Sequence, residues 1–325
     1  MSTGKWLLAV IVATGVMFTP YSGVTAAEGV STQGIAAKNS ETKKLADLDE
    51  KIVETLKNTL QELAGEDVEL KEEVVIYDGI IFIRTKEERR GIVQVNQKTG
   101  KVERASIGVS LNKIDPKQLE LAKNSLKEID SKLAFEVKEV KKMIGSDYKP
   151  GGLVSTSIIG ENFGIGLHGD KVVKITIRYP KSMWDAEIKK KAEREFKAAT
   201  GRTMTIEDIG RVKDDKMDIW TIASENSQSS VYIGVKTGKV WSISDAKAVG
   251  KTDKAILTEK NAVSYASAFA KKAFNIDLKG YTAKKVPNFP VYELTKKGAP
   301  TIEVSFNSKK GVISMSIKPV NRVWN

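Results

Sequence analysis

The chain has 325 residues, no cysteine, one histidine and a formal net charge of +12. Without cysteine there is no disulfide framework and no thiolate metal site, and one histidine cannot supply the paired imidazoles of most zinc centres. Packed apolar surface must therefore hold the fold, and about 300 residues can supply it in more than one domain.

The chain opens MSTGKWLLAVIVATGVMFTPYSGVTAAEG. Lys5 precedes an apolar run from Trp6 to Phe18, Pro20 and Gly23 break it, and small residues follow at Thr25, Ala26 and Ala27. That order is the pattern of a secretory signal peptide over residues 1–27, and the run is short of the roughly 20 residues that span a bilayer. An uncleaved anchor is the alternative. The absence of cysteine excludes lipid attachment at a new N-terminus. After signal cleavage no stretch predicts a transmembrane segment. The expected address is secreted, extracellular or wall-associated, and a cysteine-free exported chain suits a Gram-positive bacterium. Residues 28–42, EGVSTQGIAAKNSET, read as a disordered leader.

From residue 43 the chain repeats a pattern. Gly100, Gly169, Gly238 and Gly311 stand at steps of 69, 69 and 73, and a valine opens the next apolar run after each. Glycine suits a hairpin tip because it adopts positive φ without a steric penalty. Upstream of each hairpin the apolar residues recur at helical steps. In the first module these are Leu45, Leu48, Ile52, Leu56, Leu60 and Leu63, closed by Gly65. Asp115-Pro116 caps the second helix, whose stripe runs from Leu119 to Leu133. Ser182 and Asp185 are spaced as a capping box before the third, and Thr258 opens the fourth. VVIY-DG-IIFIR predicts a tight hairpin at Asp78-Gly79, and KMDIWTIAS and FPVYELT predict strands in the third and fourth modules. The reading is α+β: four tandem modules over 43–112, 113–180, 181–248 and 249–325, each a helix on a short antiparallel meander. Modules of about 70 residues bury little surface alone, so neighbours are expected to pack pairwise, with a joint at residues 245–254.

IVQVNQKTGKV, residues 92–102, and VYIGVKTGKV, residues 231–240, resemble the closing strand-turn-strand of the PepSY domain. Residues 302–312, IEVSFNSKKGV, are a weaker copy, and the second module departs because HGD replaces the KTG turn. The tandem arrangement is similar to that of exported YcdB/YcdC-type repeat proteins. The resemblance implies a cystatin-like wrap of sheet around helix in each module. It also implies non-enzymatic roles: regulating or chaperoning a secreted peptidase, or regulating a wall-remodelling enzyme. It carries no catalytic residues.

Other motifs point to no chemistry. GIGLHG, residues 164–169, matches G-x-G-x-x-G, but a β-branched run follows where a dinucleotide site needs a helix. His168 sits in the same expected turn without a nucleophile near it in sequence. SETK, residues 40–43, fits S-x-x-K inside the polar leader. Glu72-Glu73 and Asp214, Asp215 and Asp218 lack the ligand spacing of a calcium loop and read as solvated carboxylates. Trp184, Trp220 and Trp241 read as core, and Trp324 as an exposed interface candidate. No catalytic, cofactor or metal residues are assigned, and the chain is expected not to be an enzyme.

Charge is unevenly placed. Residues 43–110 carry 12 basic and 14 acidic side chains, whereas residues 249–325 carry 14 and 5. Lys271, Lys272, Lys284, Lys285, Lys296, Lys297, Lys309 and Lys310 form four pairs in the last segment and are candidate polyanion-binding residues. Two partners follow as expectations. The first is another exported protein, a peptidase or wall enzyme, held at a sheet edge or helix face. The alternative is an anionic wall polymer or membrane surface, with nucleic acid excluded by the compartment.

Overall fold

The structure is a computed structural model, and it describes residues 40–87, 90–145, 152–246, 257–287, 289–307 and 309–325. The signal-peptide expectation, most of the leader and most of the 245–254 joint lie outside the described residues.

The chain runs β1 (Ser40–Lys44), α1 (Glu50–Ala64), β2 (Glu73–Tyr77), β3 (Ile80–Arg84), β4 (Gly91–Asn96) and β5 (Val102–Val109). Next come α2 (Pro116–Ile129), β6 (Val137–Ile144), β7 (Ser155–Gly160), β8 (Phe163–His168) and β9 (Lys171–Arg178). α3 (Ala186–Thr200) precedes β10 (Ile206–Asp214), β11 (Asp218–Ser224), β12 (Ser229–Gly234) and β13 (Val240–Asp245). α4 (Glu259–Phe274) precedes β14 (Thr282–Lys285), β15 (Val291–Thr295), β16 (Thr301–Phe306) and β17 (Val312–Lys318).

The expectation of four cystatin-like modules, each a helix on its own meander, is overturned. All seventeen strands belong to one antiparallel sheet. β5 pairs with β6 across the first expected boundary, from Ala105↔Ile144 to Val109↔Val140. β13 pairs with β17 across the third, from Ser242↔Ser316 to Ser244↔Ser314. The physical reason is that a four-stranded piece closed alone would leave two rows of unpaired backbone groups, and joining edges satisfies them. The cores cross the same boundaries. Ile144 of β6 packs in the first core with Leu56, Leu60 and Leu63, and Ala273 of α4 packs in the third with Phe196.

The described residues fall into two compact units, one within Tyr21–Ile175 and one spanning Thr176–Asn325. In the first unit strand order follows chain order from β1 to β8. Ser40, Glu41 and Thr42, expected in the leader, belong to strand β1, which pairs with β2 from Ser40↔Tyr77 to Lys44↔Glu73. α1 forms because its leucines make one apolar face, Asp49 caps Lys51 N, and Gly65 ends it at φ 69°. Leu56, Leu60 and Leu63 are fully buried there, each worth about 1.5–3 kcal/mol. Gly160 lies under the Phe163 ring, which stacks on Phe135 with centroids 5.3 Å apart.

In the second unit the order is β10–β11–β12–β13–β17–β16–β15–β14, so the last four strands run back and leave β14 outermost. Asp185 alone caps α3, accepting from Glu187 N and Ile188 N, while Ser182 lies in a short 3-10 turn instead of a capping box. Residues after β17 fold back: Trp324 N donates to Lys216 O, and Asp218 N donates to Trp324 O. Trp324 is half-buried with its indole N–H on Ile317 O at 2.8 Å, packed with Trp241 and Ile219, which corrects its reading as an exposed interface residue.

Gly210 of β10 lies close against the neighbouring backbone. A Cβ there would lie 2.6 Å from Ile177 O and 2.9 Å from Thr221 Oγ1. Gly210→Ala is expected to force strands apart and cost about 1–3 kcal/mol, read as a lower midpoint in urea with an unchanged slope.

Candidate functional site

Three of the four repeated turns are built as the glycine spacing predicts: Gly100, Gly169 and Gly238 have φ of 65°, 59° and 64°. The fourth differs. Lys310, not Gly311, takes the left-handed conformation, at φ 67°. Asn307 Oδ1 accepts from Lys309 N and Gly311 N, much as Asn96 Oδ1 accepts from Lys98 N and Thr99 N. The side-chain acceptor organises this turn and presents both lysines to solvent.

The eight lysines divide between two ends of the β14–β17 sheet. Register places Lys284 and Lys285 opposite Glu293 and Tyr292, and Phe306 opposite Val312. The β16–β17 turn with Lys309 and Lys310 therefore shares the end of Lys284 and Lys285. Lys296 and Lys297 lie in the β15–β16 turn at the other end, roughly 15–20 Å away by strand rise. Lys271 and Lys272 occupy the last turn of α4, which leads into that second end. The structure thus gathers two sets of four, not one face of eight. Several of these lysines are engaged: Lys271 Nζ on Asn275 Oδ1, Lys296 Nζ on Lys279 O, and Lys310 Nζ on Tyr265 OH, 5.1 Å above that ring.

At the first end, beside β14, lies a recess of about 210 Å³. Its apolar wall is Val286, Pro287, Phe289 and Val291, with Lys284 and Lys285 at the edge and Glu293 and Glu303 lining it. Phe289 is 40% exposed. Lys284, Glu293, Glu303 and Ser316 stand in one cross-strand row on consecutive strands. α4 packs its buried Ala262, Ala266 and Ala270 against Leu294, Ile302 and Met315, whose side chains alternate with that row and so take the opposite face.

The row is electrostatically tight. Lys318 Nζ lies 2.5 Å from Glu303 Oε1 and 3.4 Å from Glu293 Oε1. Burial works to lower the Lys318 ammonium, but its bonds to Glu303 and Glu293 outweigh that and hold it above the usual lysine range. Glu303 is only 6% exposed, and its Oε2 has no hydrogen-bond partner among the described residues. Sequence reasoning missed both glutamates because each alternates with apolar residues, as any solvated strand residue does. Lys318 was missed for the same reason.

Among the described residues β14 is in register with β15, while β13 pairs with β12 and β17. The outer side of β14 is partly guarded: Lys285 N donates to Glu259 Oε1 at 2.8 Å, so the first-turn carboxylate of α4 occupies one edge donor. Covering an edge donor in this way discourages indiscriminate strand addition.

The remaining sequence candidates resolve simply. GIGLHG is strand β8 followed by a turn and strand β9, with no helix after its third glycine. His168 is exposed at the end of β8. Glu72 and Glu73 are exposed. Asp218, read as solvated, is buried and holds Arg211 through two bonds of 2.8 and 2.9 Å. No group of three or more metal-ligating side chains occurs among the described residues. Trp184 donates its indole N–H to Tyr179 O at 2.9 Å, and Trp241 is buried.

Burial pushes Tyr232 up to about 12, partly opposed by its bond to Ser230, and burial also raises Tyr281 and Tyr292. A raised folded-state value means stability is fully present below the unfolded value near 10 and falls as pH rises toward 12. Tyr232 alone accounts for a loss of about 2–3 kcal/mol across that window. Thermal melts at rising pH should show this decline, and Tyr232→Phe should flatten it.

No protein-family model matches the chain, and comparison with curated proteins finds no match.

Proposed function

We propose that this chain is an exported, non-catalytic binding protein that holds a segment of another exported protein, a peptidase or wall-remodelling enzyme. The observation that carries the reading is the outermost strand β14 beside a recess with an exposed aromatic lip and a buried carboxylate. An extended segment can add to a sheet edge by backbone bonds while a side chain enters a neighbouring pocket. Export is supported by the signal-like residues 1–27, and regulation of a peptidase or wall enzyme by the PepSY-like residues 92–102 and 231–240.

A second reading has its own observation. Lys284, Lys285, Lys309 and Lys310 lie at one end of the same sheet, which suits an anionic wall polymer or an anionic membrane surface. Salt separates the two. A photo-crosslinking phenylalanine analogue at position 289 is placed in the secreted chain and irradiated with the producing organism's wall and secreted fraction. A discrete protein adduct that forms at high salt, and is lost when Val286 and Val291 are changed to serine, supports the partner reading. Phosphate- or glycan-rich material released by modest salt supports the polymer reading, because screening weakens exposed charge pairs.

A further inference from the structure

Glu303 is a carboxylate placed where a carboxylate is costly. It is 94% buried by its 6% exposure, Oε1 takes the Lys318 ammonium, and Oε2 is unpartnered among the described residues. Buried charged oxygens are normally satisfied, and one that is not asks for a missing donor. Glu293 and Glu303 share Lys318, and Lys284 stands opposite Glu293, yet neither cation bonds Oε2 of Glu303. The wall beside it, Val286, Pro287, Phe289 and Val291, is apolar and offers nothing to a hydrated ion.

We infer that the recess receives a primary ammonium carried on an aliphatic stem, the lysine side chain of a partner segment lying along β14. The inference rests on the partner-binding reading proposed above. The methylenes pack on Pro287 and Phe289 while the ammonium donates to Glu303 Oε2, giving the strong, charge-assisted bond the site lacks. One unfilled oxygen suits a compact ammonium better than a planar guanidinium, whose five donors would need several acceptors in fixed positions. Lys284 and Lys285 at the mouth add a selectivity: they repel a second cation and favour an acidic residue beside the inserted lysine.

Fragments of one stem length test this on the intact chain. Pentylammonium, 1-pentanol and pentanoate are titrated into isotope-labelled protein, and backbone shifts are followed by NMR. Pentylammonium should perturb Lys284, Phe289, Glu293 and Glu303 and bind roughly tenfold more tightly than pentanol, the difference expected for one charge-assisted bond. Glu303→Gln should bring pentylammonium down to the pentanol level while the rest of the spectrum stays in place. Lys284→Met should strengthen it by removing repulsion at the mouth. Equal binding of pentanol, tighter binding of pentanoate, no shifts at these residues, or an unchanged affinity in Glu303→Gln would each overturn the inference. If that happens while the position-289 protein adduct still forms, partner binding stands without the ammonium. Loss of the adduct as well removes both.

Discussion

Asp218→Ala is expected to destabilise the Thr176–Asn325 unit by about 3–5 kcal/mol, the range found when one member of a buried ion pair is deleted. Asp218 is 8% exposed and accepts two bonds from Arg211, whose guanidinium lies 5.9 Å from the Trp220 ring. Burial opposes the Arg211 charge, but Asp218, with help from Tyr179, outweighs it and holds the group above its usual range. Removing the carboxylate leaves that cation desolvated and unpaired. The backbone of Asp218 also receives the folded-back C-terminal segment, through its N–H on Trp324 O. Loss of the pair should therefore raise hydrogen exchange at both Asp218 and Trp324. Replacing Arg211 and Asp218 together by methionine and leucine should recover most of the loss, since a well-packed apolar pair is often neutral relative to a buried ion pair. Urea melts of the two variants decide it: a small loss in the single variant would show that water reaches and solvates Arg211.

The local elements were legible in the sequence where chemistry is local. The α1 leucine stripe, the Asp115-Pro116 start of α2 and the Asp78-Gly79 hairpin are set by neighbours a few residues apart. Asp78 and Gly79 both take positive φ, at 49° and 74°, as that dipeptide favours. What was not legible is which strand pairs with which across 30 or 70 residues. Nothing near Ser242 states that its neighbour will be Ser316, because hydrogen bonds between backbones carry no side-chain signature. The expected modules failed for that reason, and adjacency in sequence likewise cannot say that β14 and the β16–β17 turn share one end. The recess was hidden more deeply. Glu303 reads as an ordinary alternating strand residue in IEVSF, and only the register with Glu293 and the reach of Lys318 make it a buried carboxylate with one oxygen to spare.

Phe196→Ala gives the other large expected effect and distinguishes one shared core from adjoining independent ones. Phe196 is 1% exposed on α3 and packs among Ala192, Ile209, Ile222, Val231 and Ile243. Truncating a buried phenylalanine costs about 3–5 kcal/mol, from lost transfer energy and from the cavity left behind. The same core contains Ala273 of α4, with Phe269 and Phe274 packed against it, although those residues lie more than 70 positions downstream. If the helices share one cooperative core, the variant should lose hydrogen-exchange protection throughout α4 and β14–β17 as well as in α3 and β10–β13. Independent folding units would confine the loss to the α3 half and split the thermal transition in two. A single transition shifted to lower temperature, with α4 deprotected alongside α3, is the expected result. It would mean that strain applied beneath α3 reaches the strand and recess proposed to hold a partner, because α4 packs on Leu294 and Ile302, which alternate with Glu293 and Glu303 along β15 and β16.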